Sequence, residues 1–193
     1  MFYIAEVLIK GGANVNETNS DGMTLLHQSI LVGNSEAAHF LIESGGADVN
    51  LRSNEGQTSL ELAIKNKMLS TIEILCRFGA DMLLSSSLNP PLWAALSQDE
   101  ETECCYDIAA ILVRYGVDTD VWVEGPDGCE QTLLHKAIDE NRNSAAIFLI
   151  RAGCDIDSPR RLGPNRSGGD EARDLATPLH LCCLLYTSDA ADE

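Results

Sequence analysis

Apolar residues along this chain recur as pairs of short helical patterns rather than as one long run. Four stretches, Ala37-Ala-His-Phe-Leu-Ile42, Ile72-Glu-Ile-Leu75, Ile108-Ala-Ala-Ile-Leu-Val113 and Ala145-Ala-Ile-Phe-Leu-Ile150, carry apolar side chains at helix spacing, and a glycine follows each within a few residues. A glycine there supplies the left-handed backbone that closes a helix C-terminus, so each stretch predicts a helix that stops just before it. Five further stretches open on Thr or Pro: Thr24-Leu-Leu-His-Gln-Ser-Ile30, Thr58-Ser-Leu-Glu-Leu-Ala-Ile64, Pro90-Pro-Leu-Trp-Ala-Ala-Leu96, Thr132-Leu-Leu-His-Lys-Ala-Ile138 and Thr177-Pro-Leu-His-Leu-Cys-Cys183. These predict first helices, with Thr able to cap the helix start and Leu plus Ala available to fill a seam between neighbours.

The loops after the second helices are copies of one another. Gly12-Ala-Asn-Val-Asn16, Gly46-Ala-Asp-Val-Asn50, Gly79-Ala-Asp81, Gly116-Val-Asp-Thr-Asp120 and Gly153-Cys-Asp-Ile-Asp157 recur at steps of 34, 33, 37 and 37 residues. Repeats of this period are stacked supersecondary units, none of which buries its apolar face alone. The first-helix stretches resemble the TPLHxA signature of the ankyrin-repeat family. That resemblance implies an all-α ankyrin-repeat solenoid of stacked helix-turn-helix units with short β-finger loops. The expected array covers residues 1–184: a partial repeat 1–18, complete repeats at about 19–52, 53–85, 86–122 and 123–158, a loop insert 159–174 and a partial repeat 175–184. The third repeat is longer by about five residues around Gln98-Asp-Glu-Glu-Thr-Glu103, an acidic loop. The polar stretch from Pro159 to Glu171 reads as a mobile loop. Residues 185–193 lack the apolar pattern and closing Gly of a second helix and read as a tail foreign to the array.

Charge narrows the function. Thirteen Lys and Arg face thirty Asp and Glu, a net charge of −17 that repels nucleic-acid phosphates and anionic lipid alike. No apolar run approaches the roughly 20 residues that span a bilayer, and no signal peptide is read at the N-terminus. Seven cysteines without a regular framework fit a reducing cytoplasmic compartment better than a disulfide scaffold.

Catalytic readings fare poorly. His27, His135 and His180 sit at one repeated helix position, where Glu61 and Trp93 replace them in two repeats. A structural hydrogen-bonding role explains that pattern better than catalysis. Cys182 and Cys183 beside His180 could suggest a metal, but adjacent cysteines point to different sides of a helix and no second pair sits at zinc-finger spacing. Cys104 and Cys105 read as buried or idle thiols. With no phosphate-cradling glycine loop, zincin pair or nucleophile elbow, no enzyme activity, cofactor, metal or small-molecule substrate is expected.

The expected role is therefore to bind other proteins. The family's binding face, carried over position by position, falls on finger tips and the exposed side of each first helix. In the first complete repeat that selects Ser20, Asp21, Met23, Leu31 and Val32, and in the second Asn54, Glu55, Gln57, Lys65 and Asn66. In the fourth, with its finger lengthened by Gly125-Pro-Asp-Gly128, it selects Gln131, Asp139 and Glu140, with Trp122 as an aromatic anchor. Beyond the general repeat, Asn89 to Leu96, Gln131 to Asn141, Phe148 to Arg160 and Glu171 to Asp174 resemble the central ankyrin region of endosomal proteins that join a BTB domain, a long ankyrin array and a phosphoinositide-binding FYVE domain. The resemblance implies a scaffold on the cytosolic face of endosomes, acting in endocytosis and vesicle trafficking, with a Rab GTPase or trafficking factors as partners. No FYVE cysteine pairs are present, so lipid binding by this chain is not implied. The competing reading is a structural spacer with no partner of its own.

Overall fold

The computed structural model describes residues 3–82, 90–97, 104–125, 128–161 and 175–189, of which 104, 105 and 184–189 are described by backbone alone. The acidic stretch 98–103 and the insert from residue 162 to 174 lie outside them. The chain divides into two compact units, residues 1–117 and 118–193.

In the first unit the order is α1 (Tyr3–Lys10), α2 (Leu25–Leu31), α3 (Ser35–Glu43), α4 (Ser59–Lys65), α5 (Leu69–Arg77), α6 (Pro91–Leu96) and α7 (Cys104–Arg114). First helices α2, α4 and α6 pack side by side, second helices α3, α5 and α7 do the same, and each pair closes as a hairpin. The seams between them hold Leu26, Ile30, Leu60, Ile64, Ile72, Leu75, Leu92, Ile108 and Leu112, all buried. Removing such side chains from water is the main force holding short helices that would not persist alone.

Local chemistry fixes where each helix begins. Thr58 and Glu61 form a reciprocal capping box, Glu61 N–H donating to Thr58 Oγ1 at 3.2 Å and Thr58 N–H to Glu61 Oε2 at 3.0 Å. In α2 the histidine does the glutamate's work: Thr24 N–H donates to His27 Nδ1 at 3.2 Å. Pro90 precedes α6 without a side-chain cap and Pro91 opens it, where proline's missing N–H costs nothing. The loop glycines end the second helices with positive φ, 80° at Gly79 for example.

Among the described residues of this unit the fingers are minimal, with one antiparallel bridge in each of two, Thr18 with Thr24 and Arg52 with Thr58. They touch closely: a Cβ on Gly22, whose φ is +71°, would lie 2.7 Å from the Asn54 nitrogen.

The second unit contains β1 (Trp122–Glu124), β2 (Glu130–Thr132), α8 (Leu133–Asp139), α9 (Asn143–Ala152) and α10 (Pro178–Asp189). Its finger is a true two-stranded ribbon, with Trp122 opposite Thr132, Val123 opposite Gln131 and Glu124 opposite Glu130. The next finger adds to its edge, because Glu130 and Arg161 exchange both backbone hydrogen bonds at 2.9 Å. Helix α10 packs on α8 and runs unbroken through residue 189, so the backbone of residues 184–189 continues the helix that opens at Pro178.

Candidate protein-binding surface

The residues selected from the sequence separate into three groups. Ser20, Asp21, Leu31, Val32, Glu55, Lys65 and Glu140 are exposed. Leu31 and Val32 close α2 with little cover, Val32 being 83% exposed. Met23 and Gln57 are half-buried in the fingers.

The second group joins repeats to one another. Asn54 is exposed, yet its Nδ2 donates to the Ser20 carbonyl at 2.9 Å, and its N–H to the Asp21 carbonyl at the same distance. Asn66 Nδ2 donates to the Ile30 carbonyl at 3.1 Å. The loops repeat the device: Asn16 Oδ1 accepts from Asp48 N–H at 2.9 Å, and Asn50 Oδ1 from Asp81 N–H at 2.8 Å. Asn50 Nδ2 also donates to the Gly79 carbonyl at 3.1 Å. Both ends of one carboxamide are thus used.

The third group lies in the second unit and departs from expectation. Gln131 is only 1% exposed and Asp139 is half-buried, because both face the guanidinium of Arg160, itself 2% exposed. Gln131 therefore cannot meet a partner from this position. Arg160, taken from the sequence as the start of a loop, is held at the base of a finger, its N–H donating to the Ala176 carbonyl at 3.0 Å. Desolvating a guanidinium is tolerable only with a countercharge and hydrogen bonds in place, which Asp139 and Gln131 supply. Trp122 is half-buried and also engaged, with the Arg161 guanidinium 3.8 Å from its ring centroid.

His135 acts as a connector. His135 Nδ1 accepts from Thr132 N–H at 3.3 Å, which leaves Nε2 as the protonated nitrogen, 3.1 Å from the Ala176 carbonyl to which it donates. Burial pushes the pKa of His135 down, the Ala176 carbonyl and the Asp139 charge oppose that, and the Arg160 charge adds to it. Burial likewise lowers His27. Buried Cys76 and Cys154 are pushed up to about 11, chiefly by desolvation with neighbouring carboxylates adding to it. The exposed Asp155 is held below the ordinary carboxylate range by the Asp157 N–H and the Ser158 hydroxyl.

One open groove of about 350 Å³ is lined by Leu69, Asp107, Ala110, Ile111 and Arg114. Arg114 is ion-paired to Glu73 at 2.6 Å, as Arg77 is to Glu43 at 2.5 Å, so these cations clasp neighbouring second helices. The described residues hold no group of three metal-ligating side chains and no helix long and apolar enough to cross a membrane.

Known proteins place this architecture. A sequence model of ankyrin repeats matches residues 1–86 in three copies. Rabankyrin-5 of mouse is 61% identical over 69 residues, 36% of this chain and 6% of that protein. Human Rabankyrin-5 is 61% identical over 66 residues, 34% of this chain and again 6% of the relative. The chain thus spans a small fraction of the length of these relatives. Among solved structures, the human ASB11 ankyrin repeat domain superposes with a TM-score of 0.61 at 26% identity, over 92% of this chain and 70% of that one. The ankyrin repeat domain of Bcl-3 shares the fold, with a TM-score of 0.71 at 19% identity over 95% of this chain and 76% of that one. Paired helices, glycine-closed loops, β-fingers and these matches identify ankyrin repeats in residues 1–86 and the ankyrin-repeat fold in the chain, a fold that serves protein–protein interaction.

Proposed function

We propose that this chain is a protein-binding segment of an endosomal scaffold, part of a Rab GTPase effector that acts in endocytosis and vesicle trafficking. The observation that carries the binding role is the bare end of α2. On α4 and α6 the leucines and the isoleucine are consumed in the seams, whereas on α2 and at its C-cap Leu25, Leu31 and Val32 are all about half-exposed or more, Val32 most of all. The exposed Ser20 and Asp21 belong to the finger of the same repeat, and Glu55 to the next. Apolar area rimmed by polar groups favours a protein partner. The endosomal and Rab-linked part of the reading is supported by the 61% identity to Rabankyrin-5 over about a third of the chain. On this reading the segment works on the cytosolic side of endosomes.

A spacer role is favoured by a different observation, the use of Asn54, Asn66, Gln131 and Asp139 for internal bonds. Affinity capture from cell extract separates the two. The intact chain is expected to recover trafficking proteins, and Leu31→Ser with Val32→Ser to lose at least one of them while the helical signal is unchanged. Recovery of chaperones alone, or of the same proteins by both forms, would favour the spacer.

A further inference from the structure

The finger of the second unit breaks a rule of sheet pairing. Glu124 and Glu130 face each other directly across β1 and β2. Glu130 gives both its N–H and its carbonyl to Arg161, at 2.9 Å each. Towards Glu124 it therefore forms the non-hydrogen-bonded kind of pair, in which opposing side chains stand closest. Like charges so placed destabilise a ribbon. Both glutamates are exposed, and among the described residues neither has an ion pair or a side-chain hydrogen bond. Arg161, directly opposite Glu130 on the other side, could have neutralised the pair, but its guanidinium lies on the Trp122 ring instead.

Trp122 and Glu124 share one face of the ribbon by strand alternation, and Glu130 projects from the same face. The result is a carboxylate pair beside an aromatic ring that already holds one cation. In a chain of net charge −17, phosphate-bearing partners are repelled from it. We infer that this ribbon face docks a lysine- or arginine-bearing segment of a partner protein, one basic side chain seating between Glu124 and Glu130 and relieving their repulsion. The inference rests on the protein-binding reading above and names the chemistry of the partner.

The test is fluorescence anisotropy of a short labelled peptide rich in lysine and arginine, titrated with the full 193-residue chain. Binding that weakens with added salt is expected, and Glu124→Gln with Glu130→Gln should lower the affinity about tenfold. Glu17→Gln with Glu36→Gln removes the same charge elsewhere on the surface and should change it by less than about twofold. The single variant Glu124→Gln, weaker by about threefold, covers the case in which the double variant folds poorly. Absence of peptide binding, or equal weakening by both double variants, would overturn the inference. Either result leaves the Leu31 and Val32 capture experiment untouched, so the two readings fail separately.

Discussion

Between residues 1 and 117 the loops and fingers of one repeat are joined to the next by carboxamides, whereas between residues 118 and 193 the loop and finger joints themselves carry charge. Among the described residues, charge between repeats of the first unit is confined to the exposed Arg77–Glu43 and Arg114–Glu73 pairs on the second helices. Asn16, Asn50, Asn54 and Asn66 bond backbone groups of neighbouring repeats and remain neutral at any ordinary pH. In the second unit Asp120 accepts the Asp155 N–H at 2.8 Å in the place of an asparagine, and the finger is fastened by Arg160 on Asp139. A carboxamide gives and receives and tolerates partial exposure. A buried guanidinium gives only, and fails once its acceptor is removed. The first unit should therefore lose stability in small independent steps, the second through a few critical groups.

Three perturbations bear on that contrast. Asp139→Ala leaves Arg160 buried without a countercharge and should destabilise the second unit by about 3–5 kcal/mol, read from urea unfolding; Arg160→Met, which removes the charge as well, should cost far less. Equal losses would mean that the ion pair contributes only packing.

A pH series comes next. His27 and His135 have pKa values lowered by burial, so below about 6.5 the unfolded chain takes up protons before the folded one does. Stability is intact above that pH and falls as the pH drops through it. His135→Gln should remove the share of the fall that comes from the second unit. An imidazole of His135 titrating like that of a free histidine by NMR would refute this.

The smallest effect is expected from Asp120→Asn. The amide keeps an oxygen for the Asp155 N–H and gains a donor of the kind Asn50 offers to Gly79, so the second unit should gain about 0.5–1 kcal/mol. No gain in thermal midpoint would show that the neighbouring carbonyl is out of reach.

Much of the architecture was legible because its causes are local. Thr24, Thr58 and Thr132 announce helix starts through chemistry within three residues, and the loop glycines announce helix ends through their own φ. The surface was harder to read. Gln131 and Asp139 meet Arg160 across 29 and 21 residues of chain, and the arginine sits in a polar stretch whose composition suggests only a loop. Asn54 and Asn66 look like contact residues because their acceptors are backbone carbonyls, which leave no trace in side-chain patterning. Their repeat-length separations of 34 and 36 residues were the available signal. The continuation of α10 to Asp189 was equally hidden, since residues 184–189 lack the one-sided apolar spacing by which the other helices were recognised.

Cys76 lies in the first unit and Cys154 in the second, each buried and each holding its proton to about 11. At neutral pH roughly one such thiol in ten thousand is ionised, so an alkylating reagent reaches either sulfur chiefly during transient opening of the surrounding repeat. Nature has thus placed an internal clock in each half of the protein, and site-resolved labelling rates would time the breathing of both halves in one experiment without any added probe.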